Sequence, residues 1–377
     1  MTATAPTPTR PTFMEIDLAA LDANYRYLKG LLPPGTRVIA SVKGNAYGLG
    51  IEAVSKRLLA LGAPALTTGS FEDALAIRRA GLDCEIVMFG GTLPGGVPDL
   101  LEQRLIPTVH NIELAQAISA TASEPTKIYI KLDCGLGRLG MALKDARPFI
   151  HAVTALPNIV LEGLYTHLPF TNAEEREWAQ ARTHLFDDFV DSLRAEGLAI
   201  PVTQARSSAG ILAGIEDRCN AVAPGGLLYG KSPLPADMVD PSVMQPVLKS
   251  VRSRLIHVSP DAADKTPGLH GKHAFKVTGA TGVVPFGRAD GNRAPIAGRT
   301  AHMLVNGRVA PVLGVSSEHA VLDLSEVPNP RVGDEVVILG RAGNHAITLG
   351  DLAGWQATNG SDILLMMSGR MPRVHRD

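Results

Sequence analysis

A lysine followed by a loop of small residues is the first feature of this sequence that could do chemistry. Lys43 lies in the segment SVKGNAYGLG, directly after an apolar run. A lysine at the end of a buried strand loses part of its hydration, which lowers the pKa of its ammonium group and suits it to Schiff-base formation. Tyr47, Gly48 and Gly50 would add a hydroxyl donor and close backbone approach. Position alone, however, favours a strand-end lysine that extends into solvent.

Further polar groups follow other apolar runs. The segment KLDCGLGRLGM carries Lys131, Asp133 and Arg138, and a glycine-flanked arginine suits a phenolate or a carboxylate. His167 could lie against a ring, although taken singly a core histidine is the better interpretation. The segments ARSSAG (205–210) and APGG (223–226) offer hydroxyl and backbone N–H groups to a phosphate. A strand-end lysine together with a phosphate cradle predicts a pyridoxal phosphate site.

These residues need a scaffold that brings strand ends together. Apolar runs alternate with helical stretches such as 71–81, which Gly81 would end. The runs that read as buried strands are 37–43, 64–69, 85–90, 105–110, 127–133, 161–168, 202–208 and 220–226. Eight such runs predict a (β/α)8 TIM-type barrel over 13–245, with functional groups at the carboxyl ends of its strands. A doubly wound open sheet is the alternative.

The hydrophobicity pattern of the sequence changes after about residue 245, from which point apolar and polar residues alternate. A mainly-β domain is predicted over 246–377, with Asn306-Gly307 as a hairpin turn and a late helix that begins after Thr348. Its predicted strands lie within 252–259, 280–286, 302–315, 320–325 and 334–340. The whole chain is therefore expected to be an α/β barrel followed by a C-terminal β domain.

Composition restricts the partners. The 377 residues carry 36 Lys+Arg and 37 Asp+Glu, so there is no broad basic surface for nucleic acid or anionic lipid. Three cysteines are too few to crosslink a fold of this size, which suits a reducing compartment. No apolar stretch is long enough for a membrane span, and residues 1–12 are predicted to be a disordered extension. We expect a cytoplasmic protein whose partners are small molecules or other subunits, and no metal site is predicted.

The chain resembles the alanine racemase family, pyridoxal-phosphate enzymes of fold type III, from EIDLAALDANYRYLK (15–29) to GRMPRVH (369–375). SVKGNAYGLG is similar to the family's cofactor-lysine motif, V-V-K-A-N-A-Y-G-H-G. The resemblance implies that Lys43 forms the internal aldimine with pyridoxal 5'-phosphate and that Tyr47 contacts the phosphate. It also implies a head-to-tail homodimer, in which the β domain completes the partner subunit's active site.

Other family residues carry over one by one. Lys131 matches the lysine that many members carbamylate, and Arg138 matches the arginine that meets the cofactor's phenolic oxygen and the substrate carboxylate. His167 matches the histidine against the cofactor ring. Ser208 and Gly225 match the phosphate-binding serine and glycine.

The sequence departs from the family pattern on the substrate side. Ala223 stands where the family has an arginine on the pyridine nitrogen, which leaves the protonation of that nitrogen open. Arg288, in FGRADG, replaces the tyrosine that serves as the second base, and an arginine is a poor base at neutral pH. Ser317-Glu318 replaces a Met-Asp pair, and Ser361 replaces a late phosphate tyrosine while still being able to donate to phosphate.

Together these residues predict an amino-acid racemase or epimerase for a substrate other than alanine, larger or more anionic. Lys43 would act as one base through a Cα carbanion, while Arg288 and Glu318 would shape the side-chain pocket. The alternative is a decarboxylase or aldolase-like lyase on the same scaffold, since the sequence does not show which Cα bond stands perpendicular to the ring. A cofactor carrier without turnover is the third class, and the second domain speaks against it.

Overall fold

The computed structural model describes residues 10–261, 279–367 and 369–377. Their strands are β1 (Phe13–Asp17), β2 (Arg37–Ser41), β3 (Ala65–Thr68), β4 (Glu85–Met88), β5 (Ile106–Val109), β6 (Thr126–Asp133), β7 (Met141–Ala142), β8 (Ile159–Tyr165), β9 (Val202–Gln204), β10 (Ala221–Val222), β11 (Leu248–Arg254), β12 (His257–Ser259), β13 (Thr281–Val284), β14 (His302–Val305), β15 (Arg308–Val315), β16 (Ala320–Asp323), β17 (Glu335–Ala342), β18 (His345–Ile347) and β19 (Arg373–Arg376).

Helical segments connect these strands. They are α1 (Leu18–Gly30), the short turn α2 (Lys43–Tyr47), α3 (Ile51–Ala60), α4 (Phe71–Arg79), α5 (Val97–Glu102), α6 (Ile112–Thr121), α7 (Leu143–Thr154), α8 (Ala173–Ala195), α9 (Ser208–Leu212), α10 (Leu349–Gln356) and α11 (Gly360–Met367). The described chain forms two compact units. The barrel unit comprises residues 20–46 and 51–246, and the β unit comprises residues 10–19, 47–50 and 247–377.

Eight parallel strands close the barrel unit into a ring. The order runs β2, β3, β4, β5, β6, β8, β9 and β10, and the pairing of β10 with β2 closes it. Strands β3 and β5 are buried along their whole length, which is typical of parallel strands covered on both faces. This closure confirms the predicted (β/α)8 barrel and excludes the open sheet.

A layer of side chains fills the barrel, with one residue from each strand. The layer consists of Ile39, Ala65, Val87, Ile106, Tyr129, Tyr165, Val202 and Ala221. The ring of Phe89 stacks on the ring of Tyr165 with centroids 4.3 Å apart. Two tyrosines and a phenylalanine therefore take volume that aliphatic residues usually fill in such barrels, and the interior is a packed core.

The β unit contains a sheet ordered β12, β13, β16, β15, β14, β17, β11, β1 and β19, with β18 paired to β17. Asn306 and Gly307 both have positive φ (49° and 77°), as the predicted hairpin turn between β14 and β15 requires. Thr348 accepts a hydrogen bond from the backbone N–H of Asp351 and so caps α10, as predicted. The C-terminal mainly-β domain is confirmed.

The first strand differs from the predicted domain boundary. β1 pairs antiparallel with β11 and parallel with β19, so residues 13–17 belong to the β unit and not to the barrel, which was predicted to begin at residue 13. Its burial alternates, with Met14 and Ile16 buried. That alternation is typical of a sheet covered on one face, whereas barrel strands are buried on both.

The predicted disordered extension, 1–12, lies mainly outside the described residues. Residues 10–12 are ordered by side-chain contacts: the hydroxyl of Thr12 donates to the carbonyl of Pro285 at 2.7 Å, and Arg10 binds the carboxylate of Asp290 through two hydrogen bonds. No helix among the described residues is long and apolar enough to cross a membrane. Nor do His, Cys, Asp and Glu side chains of this part of the chain form a group of three or more that could hold a metal ion.

Candidate active site

Lys43 stands immediately beyond the carboxyl end of β2, after the buried Val42. The residue is exposed, yet partial burial of the ammonium group lowers its pKa. The positive charge of Arg138 lowers that pKa further. A lysine that loses its proton more readily is suited to act as a nucleophile or a base.

The backbone after Lys43 turns through an unusual left-handed conformation. Gly44, Asn45 and Ala46 have φ values of 62°, 56° and 54°. The backbone N–H groups of Gly44 and Asn45 both donate to the carboxylate of Asp73, at 2.8 and 3.1 Å. The side-chain oxygen of Asn45 accepts from the N–H of Ile51 at 2.8 Å. These bonds hold the turn from which Lys43 projects.

The loop after β6 presents Arg138. One carboxylate, that of Asp133, accepts the backbone N–H groups of residues 135, 136 and 137 at 2.8 to 3.2 Å. The ammonium group of Lys131 donates to the backbone carbonyl of Arg138 at 2.7 Å. Gly140 has a φ of 107°, and a Cβ there would lie 3.0 Å from the backbone N of Asp133, so the close return of the loop requires glycine. Lys131 therefore positions Arg138 through its main chain.

Four basic side chains share the mouth of the barrel. Lys131 is only 3% exposed, and burial, followed by the charge of Arg138, lowers its pKa to about 8. Burial lowers the pKa of His167 to about 4, with Arg138, Lys43 and Lys131 contributing in that order. The imidazole is therefore neutral at pH 7. The site is electropositive, so it favours an anionic ligand.

Ser208 joins the loops that follow β9 and β10. Its hydroxyl oxygen accepts the backbone N–H of Gly225 at 2.9 Å and that of Leu227 at 3.2 Å. Because the oxygen is the acceptor in both bonds, the hydroxyl can still donate its own hydrogen to a third group such as a phosphate oxygen. Ala223 is fixed in the same loop, where its N–H donates to the carbonyl of Arg206 at 3.1 Å.

These residues fit the predicted pyridoxal phosphate. A lysine with a lowered pKa can attach an aldehyde, Arg138 and the Ser208 hydroxyl can bind anionic oxygens, and a neutral His167 can lie against an aromatic ring. Electrostatic interactions thus link Lys43, Lys131, Arg138 and His167, and a hydrogen bond links Ser208 to Gly225 between the loops after β9 and β10.

The β unit carries the remaining predicted residues. Arg288 is exposed, and its guanidinium donates to the carbonyl of Val315 at 3.0 Å. Glu318 forms an ion pair with Arg370, which lowers the pKa of the Glu318 carboxyl group. Ser361 is half-buried at the start of α11, where its N–H donates to the side-chain oxygen of Asn359 at 2.9 Å.

The segment after Lys43 also contributes to the β unit. Tyr47 is half-buried, with a φ of 55°. The carbonyl of Gly48 accepts from Arg373 at 2.7 Å, and a Cβ on Gly50 would lie 3.0 Å from the ring of His375. The two glycines, predicted to allow close backbone approach to a ligand, here allow close approach to strand β19.

Sequence reasoning missed the aspartates that build these loops. Asp73 lies in the helical pattern FEDALAIRRAG, where it reads as an ordinary first-turn acidic residue. Asp290 has a fully buried carboxylate that binds Arg10 and Arg370 and accepts the N–H of Gly287 at 2.9 Å. Their long-range partners have no local signal, since Asp73 binds the turn at 44–45 and Asp290 binds Arg10 and Arg370.

Comparisons with known proteins place this chain among named relatives. The family model described as alanine racemase, N-terminal domain, matches residues 16–233, and that described as alanine racemase, C-terminal domain, matches residues 248–375. An alanine racemase of Halothermothrix orenii is 31% identical over 373 residues, which cover 98% of each chain. One from Syntrophobacter fumaroxidans is 32% identical over 348 residues, which cover 91% of each.

Solved structures share the fold over the whole chain. The alanine racemase of Bacillus anthracis, crystallised with bound L-Ala-P, superposes with a TM-score of 0.88 at 27% identity and covers 99% of this chain and 96% of its own. The alanine racemase of the D-cycloserine producer Streptomyces lavendulae superposes with a TM-score of 0.87 at 28% identity, covering 99% and 98%. Both the barrel and the β domain therefore have counterparts in these enzymes.

Proposed function

The chain belongs to the alanine racemase family of pyridoxal-phosphate-dependent isomerases, and from this we propose that it is an amino-acid racemase in which Lys43 is a base at the substrate Cα. The observation that carries the proposal is that burial, together with the positive charge of the neighbouring Arg138, lowers the pKa of Lys43, Lys131 and His167. A lysine needed only for structure would gain nothing from such surroundings, whereas a base benefits from a lowered pKa.

Each barrel residue has a role in this proposal. Pyridoxal phosphate, when bound, supplies an electron sink for negative charge at Cα. Lys43 attaches it and moves the Cα proton on its own face, and Arg138 binds the substrate carboxylate. Neutral His167 packs against the ring. The Ser208 hydroxyl, whose oxygen is held by the N–H of Gly225, would bind the phosphate, and Lys131 keeps Arg138 in place, with its pKa of about 8 making it a candidate for carbamylation.

We propose that Tyr47 and Ser361 add phosphate contacts and that Arg288 acts from the partner subunit of a homodimer. Arg288 has no carboxylate partner among the described residues, because Asp290 binds Arg10 and Arg370. An unpaired guanidinium suits an anionic group and is a poor base. The first substrates to examine beside alanine are therefore acidic amino acids, with Glu318, held by Arg370, shaping the pocket.

The experiment begins with the cofactor. Wild-type protein should carry a near-visible absorption band that borohydride removes, with cofactor mass then found on the Lys43 peptide. K43A should lack the band and lose at least about 1000-fold in kcat, since the proton transfer loses its base. K144A, which removes an exposed lysine, is the matched control and should behave as wild type. A colourless wild type, or a coloured and active K43A, would refute the proposal.

The reaction is then identified in deuterium oxide with alanine, acidic, hydroxy and branched amino acids. Deuterium at Cα with inversion is the expected result, and carbon dioxide or an aldehyde product would instead establish the decarboxylase or lyase. Ala223 bears on this choice because its methyl group cannot donate to the pyridine nitrogen. If Arg288 alone sets substrate choice, R288Y should raise activity on alanine, and no gain would place the cause at Ala223 or Ser361.

A further inference from the structure

The turn that carries Lys43 is strained over four residues. Gly44, Asn45, Ala46 and Tyr47 all have φ between 54° and 62°. Only the first is glycine, and for other residues the left-handed conformation costs about 1–2 kcal/mol each. Such a run persists only where surrounding contacts enforce it. What holds this turn therefore also determines where the Lys43 side chain begins.

The carboxylate of Asp73 supplies the contacts. It accepts the N–H of Gly44 on Oδ2 at 2.8 Å and that of Asn45 on Oδ1 at 3.1 Å. Successive N–H groups converge on one anion only when the backbone curls into a concave nest, which the left-handed turn provides. Both oxygens of Asp73 are thus used, one on each residue that follows Lys43.

Asp73 is itself locked in place. The hydroxyl of Thr68, the last residue of β3, donates to Oδ2 of Asp73 at 2.9 Å. Ser70 caps α4 and accepts the backbone N–H of Asp73 at 3.1 Å. A continuous set of hydrogen bonds therefore runs from the end of a barrel strand, through Asp73, to the turn that carries Lys43.

Asp73 acts on position and not on the charge of the lysine. The influences that lower the pKa of Lys43 are burial and the positive charge of Arg138. The Asp73 carboxylate, by contrast, faces two backbone N–H groups and the Thr68 hydroxyl. Removing its second acceptor should therefore misplace the amine without changing which groups surround it.

We propose that Asp73 is a positioning residue that holds the left-handed turn so that Lys43 is presented to cofactor and substrate, an inference that rests on the proposed function of Lys43. The proposal involves a residue 30 positions away in sequence, on a different βα element. Thr68 takes part in the same arrangement, because its hydroxyl group orients the carboxylate of Asp73.

D73N tests the proposal. An asparagine keeps one acceptor oxygen for one backbone N–H. Its NH2 group faces the other N–H and cannot accept a hydrogen bond from it. We expect kcat to fall about 10- to 100-fold with a smaller change in KM, as a misplaced reacting group produces. The apo-protein should attach added pyridoxal phosphate more slowly by a similar factor, and hydrogen exchange of a peptide covering residues 42–48 should be faster.

Two further variants complete the design. E113Q changes a first-turn acidic residue of α6, another side-chain-capped barrel helix, and should match wild type in every assay. T68V, a milder change that keeps the fold if D73N does not, should lower kcat several-fold in the same direction. Unchanged kcat and attachment rate in T68V and in folded D73N would overturn the proposal, as would a loss of thermal stability alone. An active K43A would instead refute the proposed function.

Discussion

At the scale of single residues, the pKa values of the site are governed first by burial and then by the crowding of like charges. Lys43, Lys131, Arg138 and His167 are each ordinary in sequence, and it is their common position that lowers the pKa of the two lysines and of the imidazole. A protonated His167 would add a positive charge to a place already rich in them. The neutral imidazole is therefore the form that folding selects.

This selection predicts a pH dependence of stability. The pKa of His167 is lowered from 6.5 to about 4 in the folded chain, so the unfolded chain binds the proton first as pH falls. The stability that the folded chain gains by keeping His167 neutral is fully present above pH 6.5 and is lost as pH decreases toward about 4. Chemical denaturation measures the free energy of unfolding at each pH. Between pH 6.5 and 4 this free energy should fall less in H167Q than in wild type, by on the order of 2 kcal/mol.

The control is H345Q, which changes an exposed histidine of the β unit and should retain the wild-type pH profile. Histidine-selective NMR gives an independent measurement, in which the resonance missing from H167Q should not titrate between pH 7 and 5. A His167 resonance that titrates at the ordinary pKa, or equal profiles for wild type and H167Q, would contradict the prediction.

At the scale of elements, neighbouring barrel strands fit closely where an aromatic ring replaces an aliphatic side chain. Tyr129 on β6 lies opposite Gly163 on β8 in the strand register, after an irregularity in β6. A Cβ on Gly163 would lie 2.5 Å from Cε1 of Tyr129. The ring is also in edge contact with Tyr165, with centroids 6.4 Å apart. The glycine therefore makes room for the ring.

Gly163→Ala should destabilise the protein by about 1–3 kcal/mol, because a methyl group is inserted into a packed interior that cannot yield. Guanidinium denaturation followed by circular dichroism measures the change. Gly30→Ala is the matched control: a Cβ there has no atom within 4 Å, and the φ is not positive. The control should be neutral or slightly stabilising. Equal stability of the two variants would show that the Tyr129 ring moves aside without cost.

At the scale of the whole molecule, the chain is not divided at a single point. The β unit takes residues from 10–19 and 47–50 as well as from 247–377, and the barrel unit consists of 20–46 and 51–246. The resemblance further implies a homodimer whose β domain, with Arg288, completes the partner's site. That assembly stays a prediction, and its test follows from placing Lys43 and Arg288 in different copies.

Mixing two inactive variants should restore activity if sites are shared. In a hybrid of K43A and R288A, one site carries both changes and the other carries neither. Random exchange of subunits would give about a quarter of the wild-type activity per subunit. The mixture is assayed after co-expression, with each variant alone as control and subunit exchange followed by native mass spectrometry. Hybrids that form without restored activity would refute the shared site.

The sequence by itself determined the barrel strands and the β domain, and it predicted the barrel-side residues of the candidate site. Parallel barrel strands are buried on both faces and read as short continuous apolar runs, so all eight were located. The predicted site residues lie near or beyond the carboxyl ends of such runs, because strand ends are where a barrel exposes polar groups; they are Lys43, Lys131, Arg138, His167, Ser208 and Gly225. These patterns involve residues that are close in sequence, so they can be recognised without knowledge of the fold.

Only the tertiary structure decided which distant segments meet. It shows that β1 pairs with a strand of the β unit and that Arg10 binds Asp290, 280 positions away. It also shows that Asp73 accepts a hydrogen bond from the turn that carries Lys43. It also set the lowered pKa values, which arise from burial and from charges on separate strands. A hydrogen bond between residues that are distant in sequence leaves no periodic pattern from which it could be predicted. A group loses its hydration only after the chain has folded around it, so its pKa shift cannot be predicted from the sequence either.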